Sequence, residues 1–302
     1  MNRTAILFAA LTLTATAAFA AEGNFEKTLA VGGAPNVTVT TGSGYVHVYS
    51  GSGSQVHIIG RVHVRASLLG GDAEAKLRQI VSDPPIKQFG NTITIGADRS
   101  DSSVFNNVSI DYEITAPSGT TLKAESGSGD LEIGGIEGTV TAETGSGEMH
   151  IDNIGANAKL EAGSGSIHAV NVHGAATLQT GSGDLDLDLS GAGDVKAQTG
   201  SGSIHIHGVS GGLRADAGSG NIEVTGLPTL EWRLECGSGS IRVNLGSAAK
   251  FTLNAETGSG SIQVEQPLLS QGSRDKQHVV GTVNGGGPTV RVTTGSGDVT
   301  IR

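Results

Sequence analysis

The stretch Thr144-Gly145-Ser146-Gly147 decides the fold of this chain, because its Gly-Ser-Gly core recurs at nearly constant intervals. A fixed period of roughly 20 residues is typical of proteins built from stacked repeats. The sequence therefore predicts a solenoid in which each copy marks one coil. Successive copies start at Gly127, Gly145, Gly163, Gly181, Gly200, Gly218, Gly237 and Gly258.

The segments on both sides of each turn alternate between apolar and polar residues, as in a β-strand with one buried face. Apolar residues stand five and three positions before the turn, as Leu178 does before Gly181. They also stand two and four positions after it, as Ile204 and Ile206 do. One such unit does not bury enough apolar surface to offset roughly 1.5 kcal/mol of lost conformational freedom per ordered residue. The units must therefore stack, with glycine at both turn corners permitting backbone conformations that other residues resist.

Polar residues form equally regular outward columns. A mostly basic column lies four positions before the turn, and a mostly acidic column lies two positions before it. We expect pairs such as Lys159 and Glu161 to form ion pairs, each worth about 0.2–1 kcal/mol. The turn serines, from Ser128 to Ser259, are expected to form a hydroxyl ladder along one edge of the stack.

The composition argues against several classes of protein. The chain has 48 glycines but only 7 prolines, and the glycines fall at fixed offsets between apolar residues, unlike those of collagen or a disordered chain. The formal net charge of -10 becomes -11 when Arg3 is removed with an N-terminal signal (−10 − 1). This acidity argues against binding of nucleic acid or anionic lipid through charge attraction.

Residues 1–20 have the pattern of a cleavable secretory signal. A positive start at Arg3 precedes a short apolar run, and Ala18-Phe19-Ala20 matches the small-residue cleavage site. The run is too short to span a bilayer, and no later stretch is long and apolar enough. The only cysteine, Cys236, is far from the signal, so we expect no lipid anchor and no intrachain disulfide. The prediction is an exported protein, periplasmic or extracellular.

Residues 21–302 are predicted to form a single solenoid domain whose regularity varies. Apolar residues at helical spacing predict a short helix over residues 72–81, with Asp72 as N-cap and Asp83-Pro84-Pro85 as the stop. The predicted fold class is all-β, a parallel β-solenoid (β-helix) of about 18-residue coils. Its regions are an irregular N-terminal elaboration or cap with that one helix (60–117), regular repeats (118–265) and C-terminal coils (266–302), with polar loops at 98–107 and 271–277.

The segment from Ser109 to Ile133, SIDYEITAPSGTTLKAESGSGDLEI, is followed by repeated copies of T-G-S-G-[DES]-[ILM]-x-[IV]. These features resemble the bacterial putative-adhesin family, also known as DUF4097, over most of the mature chain. The resemblance implies an exported β-solenoid. It implies no established ligand, and the family has no catalytic residues to transfer onto this chain.

The best candidate for chemistry is the third column after the turn. If coils stack in register, His168, Asp186 and His205 occupy consecutive rungs, where two imidazoles and a carboxylate are suitable ligands for Zn²⁺. The competing interpretation is a solvated polar face, which the pattern favours because flat ladders rarely set the geometry of a metal. We therefore predict at most weak metal binding. The column contains Glu132, His150, His168, Asp186, His205, Glu223, Arg242 and Gln263.

Calcium and enzymatic interpretations have less support. Asp130, Asp184 and Asp298 follow turns, but other units have Ser or Asn there, so we expect short polar residues that stabilise their own turns. Outward pairs such as Asp186 and Asp188 allow a polysaccharide lyase or hydrolase, yet no single rung is distinguished as an active site.

The sequence favours an exported, non-enzymatic structural or adhesion module with no cofactor. Its expected partner is a cell-envelope component or a surface polysaccharide, without nucleic-acid binding and without a membrane span. The alternatives are a carbohydrate-active β-helix enzyme and a periplasmic metal-binding protein. The ligand and the oligomeric state stay open at this point.

Overall fold

A computed structural model describes residues 19–65, 73–96, 102–270 and 276–302. Most of the predicted signal peptide lies outside these residues, and so do the helix cap Asp72 and most of the predicted loop at 271–277. The first strand begins at Phe19, within the predicted signal segment, so the signal peptide stays a prediction.

The N-terminal region, as far as the structure describes it, contains seven strands and two helices. The predicted helix is present as α1, whereas the predicted polar loop at 98–107 contains a short helical turn, α2, among its described residues. The elements are β1 Phe19–Ala30, β2 Asn36–Thr41, β3 Val46–Gly51, β4 Gln55–Arg65, α1 Ala73–Ser82, β5 Ile86–Phe89, β6 Thr92–Ile95, α2 Ser102–Phe105 and β7 Val108–Pro117.

The regular repeats form strands in pairs, one before and one after each Gly-Ser-Gly turn. These strands are β8 Thr121–Ser126, β9 Leu131–Gly134, β10 Val140–Thr144, β11 Met149–Ile154, β12 Ala158–Ala162, β13 Ile167–Val172, β14 Ala176–Ser182, β15 Leu185–Leu189, β16 Val195–Ser201, β17 Ile204–Val209, β18 Leu213–Ser219, β19 Ile222–Gly226, β20 Trp232–Ser238 and β21 Ile241–Asn244. The C-terminal strands are β22 Phe251–Ser259, β23 Ile262–Val264, β24 Leu268–Ser270, β25 His278–Val283, β26 Thr289–Ser296 and β27 Val299–Ile301.

The strands assemble into two long sheets that enclose one core. Among the described residues, sheet 1 has 13 strands and includes those that follow the turns, in the order β1-β4-β7-β3-β9-β11-β13-β15-β17-β19-β21-β27-β23. In the same part of the chain, sheet 2 has 14 strands and includes those that precede the turns, in the order β24-β25-β22-β26-β20-β18-β16-β14-β12-β10-β8-β2-β6-β5. The coils pair in parallel and in register; Ile151, for example, lies opposite Ala169. The predicted parallel β-solenoid is confirmed.

The coils do not stack in strict sequence order at the C-terminal end. The last coil, β26 with β27, is inserted between β20/β21 and β22/β23, and it pairs in parallel with both neighbours. The coil at Gly258 therefore does not lie on the coil at Gly237, although the two copies are consecutive among the regular repeats. The chain passes beyond β23, forms β24 and β25 against the edge of β22, and then returns into the stack. Equivalent coils present equivalent edges, so the repeat pattern does not specify this order.

The irregular region adds an antiparallel extension to the N-terminal end. In sheet 1, β4 pairs antiparallel with both β1 and β7, and β7 pairs parallel with β3. Helix α1 packs against β1 and β4 and buries Ile80. This excursion brings the chain back so that β8 lies directly on β2, with Thr121 opposite Asn36 although the two are far apart in sequence.

The two turn glycines are required chiefly by close approach between coils. A Cβ atom at Gly163 would lie 2.4 Å from the carbonyl oxygen of Gly145 in the preceding coil. At the other corner, a Cβ at Gly202 would lie 2.0 Å from the oxygen of Gly183, and Gly202 also has a φ of +147°. At Gly202 the neighbouring carbonyl and the positive φ both exclude a side chain, whereas at Gly163 the neighbouring carbonyl alone excludes one.

A buried hydroxyl column joins consecutive coils just before the turns. The Thr180 hydroxyl donates a hydrogen bond of 2.9 Å to the carbonyl oxygen of Gly165, and Thr199 repeats this contact with Gly183 at 3.0 Å. In the coil of Cys236 the thiol takes the same place, 3.1 Å from the oxygen of Gly220. Burial raises the pKa of this thiol. These donors satisfy carbonyl groups that the turn leaves beside the core.

Candidate functional site

The predicted metal residues lie side by side on the outer face of sheet 1. The register aligns His150, His168, Asp186 and His205 on four consecutive strands. His205 Nδ1 is 2.8 Å from one carboxylate oxygen of Asp186, and His168 Nδ1 is 3.9 Å from the other. All three candidate side chains are about half exposed. The structure thus brings together the three residues that the spacing selected.

This arrangement forms a row and not an enclosed metal centre. Strands in a sheet lie about 4.8 Å apart, so the backbones of His168 and His205 are separated by roughly 10 Å. Asp186 lies between the two imidazoles, and each of its carboxylate oxygens faces one of them. Within the described ranges, no group of three or more His, Cys, Asp or Glu residues has a geometry that could hold a metal ion.

The outer face of sheet 2 has a different chemistry, based on Lys, Arg and Glu. The predicted ion pairs are present on four of the described strands: Lys159 and Glu161 are joined at 3.0 Å and Arg214 and Asp216 at 2.8 Å, and Lys123–Glu125 and Arg233–Glu235 are equivalent pairs. Where the basic residue is replaced by Thr177, Gln179 instead contacts Gln198 on the next strand at 2.8 Å. The predicted pairing of the basic column with the acidic column is therefore confirmed on these four strands. These side chains neutralise one another and fix the register.

The polar residues that follow the turns bind the neighbouring coil. Asp130 Oδ1 accepts a 2.9 Å hydrogen bond from the backbone N–H of Glu148, and Asp184 Oδ1 accepts one of 2.7 Å from Ser203. The expectation that such residues stabilise their own turns is therefore wrong for these contacts. Hydrogen bonds from Ser261 lower the pKa of the Asp298 carboxyl at the equivalent position. The acids that suggested calcium have a structural role between coils.

Sheet 1 has a second polar cluster, which the sequence pattern did not predict. Tyr45, immediately before β3, stacks on His47 of β3 with ring centroids 4.3 Å apart, and His47 lies 3.4 Å from Glu132 on β9. Arg61 on β4 donates a 2.6 Å hydrogen bond to the Tyr45 hydroxyl and forms an ion pair of 2.8 Å with Glu113 on β7. The alternation of Tyr45, His47 and Tyr49 was the available signal, but the partners come from distant segments.

A groove of about 1220 Å³ lies between the N-terminal cap and the first coils of sheet 2. Pro84, Pro85 and Phe105 contribute apolar surface, while Glu143 and Glu161 belong to its acidic wall. Two carboxylates of this wall already have lysine partners, at Lys123–Glu125 and Lys159–Glu161. The groove therefore combines an apolar wall with an acidic wall in which two carboxylates are already paired.

The family model described as Toastrack DUF4097 matches residues 71–302. The chain belongs to the DUF4097 family. The match includes all regular repeats and the C-terminal coils, and it begins after β4. No curated protein matches the chain at the level required for a reliable relationship.

Several crystal structures are similar to this DUF4097 chain over most of its length. A putative cell adhesion protein from Clostridium sporogenes ATCC 15579 is 13% identical, with 92% of this chain and 99% of that one covered and a TM-score of 0.22. A putative adhesin from Parabacteroides distasonis ATCC 8503 is 12% identical, with 93% and 97% covered and a TM-score of 0.33. For a putative adhesin from Bacteroides fragilis NCTC 9343 the values are 11%, 93%, 97% and 0.29.

Family membership confirms the resemblance that is based on the repeats. The matched region includes only part of the polar cluster on sheet 1. Glu113 and Glu132 lie within the matched region, whereas Tyr45, Tyr49 and Arg61 lie before it. The helices of the described chain are too short or too polar to cross a bilayer.

Proposed function

We propose that this DUF4097 chain is an exported, non-enzymatic binding module that recognises a component of the cell envelope or a surface polysaccharide. In this proposal residues 1–20 are removed as a signal peptide and residues 21–302 function as one domain outside the cytoplasm.

One observation carries the proposal: the outer face of sheet 1 presents a continuous in-register column of polar side chains. Each strand contributes its residue at the same height, about 4.8 Å from the next. Such a rigid, extended surface suits a ligand that is itself long and repetitive, because little conformational entropy is lost when the protein binds. The column contains His47, Glu132, His150, His168, Asp186, His205, Glu223 and Arg242.

Export is tested by expressing the full chain in a Gram-negative host and measuring the mass of the product in each cell fraction. We expect a periplasmic or secreted protein that begins at Ala21. An Ala18→Glu/Ala20→Glu variant, which disrupts the predicted cleavage site, should retain residues 1–20. A wild-type protein that stays in the cytoplasm with Met1 intact would refute export.

Binding is tested by applying the purified mature protein to an array of envelope glycans and to isolated envelope fractions. We expect retention on at least one of them and no release of reducing ends or unsaturated products from uronic-acid polymers. Release that disappears in Asp186→Asn would establish the enzymatic alternative. A stoichiometric co-purifying metal that is lost in His168→Ala/His205→Ala would establish metal binding instead.

A further inference from the structure

Both tyrosines that lie outside the core are found at one strand, β3. The chain has only 3 tyrosines, and one of them, Tyr112, is fully buried in the core. Of the other two, Tyr49 lies on β3 and Tyr45 immediately precedes that strand, and both point outward on either side of His47. The two tyrosines are about 13 Å apart along the chain direction, roughly the length of two to three linked pyranose rings.

Tyr49 is the exposed aromatic platform of this surface. Its ring lies over Gly134 of β9, where a Cβ atom would be only 3.2 Å from the ring atom Cδ1. The residue is nevertheless accessible, with 44% of its surface exposed. Partial burial and a hydrogen bond to Glu132 raise the pKa of the Tyr49 phenol to about 12. The ring is thus held in place before any ligand arrives, which lowers the entropy lost on binding.

Polar groups surround this platform on the strands at both sides. Glu132 contacts His47 from β9, while Arg61 and Glu113 form their ion pair on the other side of β3. These planar groups combine donors and acceptors, as the vicinal hydroxyl groups of a sugar require. A site with aromatic surface and a few oriented polar groups is the usual composition of a small-ligand site.

The excess of negative charge in the cluster favours neutral saccharides over anionic ones. The cluster contains the carboxylates of Glu113, Glu132 and Asp111, the last of which accepts a hydrogen bond from the Tyr45 backbone N–H. They outnumber the guanidinium of Arg61, which is already paired with Glu113. Uronate, sulfate or phosphate groups would meet like charge here. The hydroxyl groups of a neutral sugar instead donate hydrogen bonds to carboxylates.

From these observations we infer that the outer face of β3 is a binding site for a neutral polysaccharide chain. The apolar face of one pyranose ring rests on Tyr49, its hydroxyl groups donate to Glu132, and the chain continues along β3 toward Tyr45 and Arg61. This inference deepens the proposed function and rests on it, because it assigns the ligand class and the position of the site.

The inference is tested by calorimetric titration of the mature protein with cellohexaose, maltohexaose and N-acetylchitohexaose, and with hexagalacturonate as the anionic control. We expect at least one neutral oligosaccharide to bind and hexagalacturonate to give no heat. The Tyr49→Ala variant should bind at least about tenfold more weakly, and Tyr49→Phe should stay close to wild type. Val170→Ala changes the same outward column three strands away and should have no effect.

A Tyr49→Leu variant separates recognition from folding, because leucine still covers Gly134 but offers no flat ring. We expect its thermal midpoint to stay near that of wild type while its affinity falls like that of Tyr49→Ala. Wild-type affinity in Tyr49→Leu, or preference for hexagalacturonate, would overturn the inference. Retention on the envelope array that is unaffected by Tyr49→Leu leaves the proposed function standing and refutes this site. Absence of all binding by the wild type refutes both.

Discussion

Coils in the interior of the solenoid and coils at its ends share the same sequence pattern but differ in their surroundings. A Cβ at Gly163 would collide with the carbonyl oxygen of Gly145, whereas a Cβ at the equivalent Gly42 of the first coil meets no atom within 4 Å. Likewise, Ile206 is fully buried, but the equivalent Val264 on the edge strand β23 is only partly buried. The constraint on each repeated residue therefore comes from the coil stacked against it.

The largest expected difference concerns a charge in the core. Ile206→Asp places a carboxylate in the middle of the stack and should lower the free energy of unfolding by about 4 kcal/mol or more. Val264→Asp changes the equivalent position at the end and should lose less than half as much, since water reaches it. Urea denaturation of both variants measures the difference. Equal losses would show that the ends are as tightly packed as the interior.

The next contrast concerns the first turn glycine. Gly163→Ala should lower the free energy of unfolding by about 2–3 kcal/mol, because its methyl group overlaps the Gly145 carbonyl oxygen, which accepts a hydrogen bond from the Ser164 backbone N–H. Gly42→Ala serves as the matched control and should change stability by less than about 0.5 kcal/mol. Thermal midpoints followed by circular dichroism report both values. A severe effect at Gly42 would mean that glycine is needed there for backbone conformation.

The buried hydroxyl column should have a smaller effect. Thr180→Val keeps the shape of the side chain but leaves the Gly165 carbonyl without its donor, so we expect a loss of about 1–2 kcal/mol. Cys236→Thr replaces a weak thiol donor with a hydroxyl at the corresponding position and should leave stability unchanged or slightly higher. Denaturation midpoints of the two variants test this pair, and a stable Thr180→Val would remove the hydroxyl from the interactions that hold the coils together.

The smallest effect, of opposite sign, is expected in the N-terminal extension. The Tyr112 hydroxyl is buried, and no hydrogen-bond partner is found for it among the described residues. Burial of this phenol raises its pKa, so it stays neutral. Tyr112→Phe removes the unsatisfied group and should raise the free energy of unfolding by up to about 1 kcal/mol. A loss of stability would show that the Tyr112 hydroxyl has a hydrogen-bond partner in solution. The buried polar groups of the N-terminal extension would then be satisfied like those of the interior coils.

Local pattern predicted the regular part of the molecule well because its elements depend on neighbours in sequence. The alternation around Leu178 and Ile206 placed the buried faces correctly, and the constant period placed His168, Asp186 and His205 on consecutive strands. The strands outside the regular repeats were harder to predict. β24 and β25 were not predicted, and β1 was not recognised beside the predicted signal, because their pairing partners lie far away in the chain.

In the candidate saccharide site, too, one part follows from the local sequence and the other part only from strand pairing. Tyr45, His47 and Tyr49 alternate along one segment, so their common face follows from the sequence. Their association with Glu132 follows only when β9, which comes much later in the chain, pairs with β3. Arg61 and Glu113 join through the antiparallel extension, which the repeat pattern does not describe.

By itself the sequence determined the coil: two short strands, a glycine turn, an inward apolar face and outward charged columns, all repeated with each Gly-Ser-Gly copy. Only the tertiary structure decided the order of the coils, with the last one inserted between β20/β21 and β22/β23. The physical reason is that coils of equal pattern expose equal hydrogen-bonding edges. Which edge a coil finds then depends on chain connectivity and on packing at the ends, and no local sequence pattern records either.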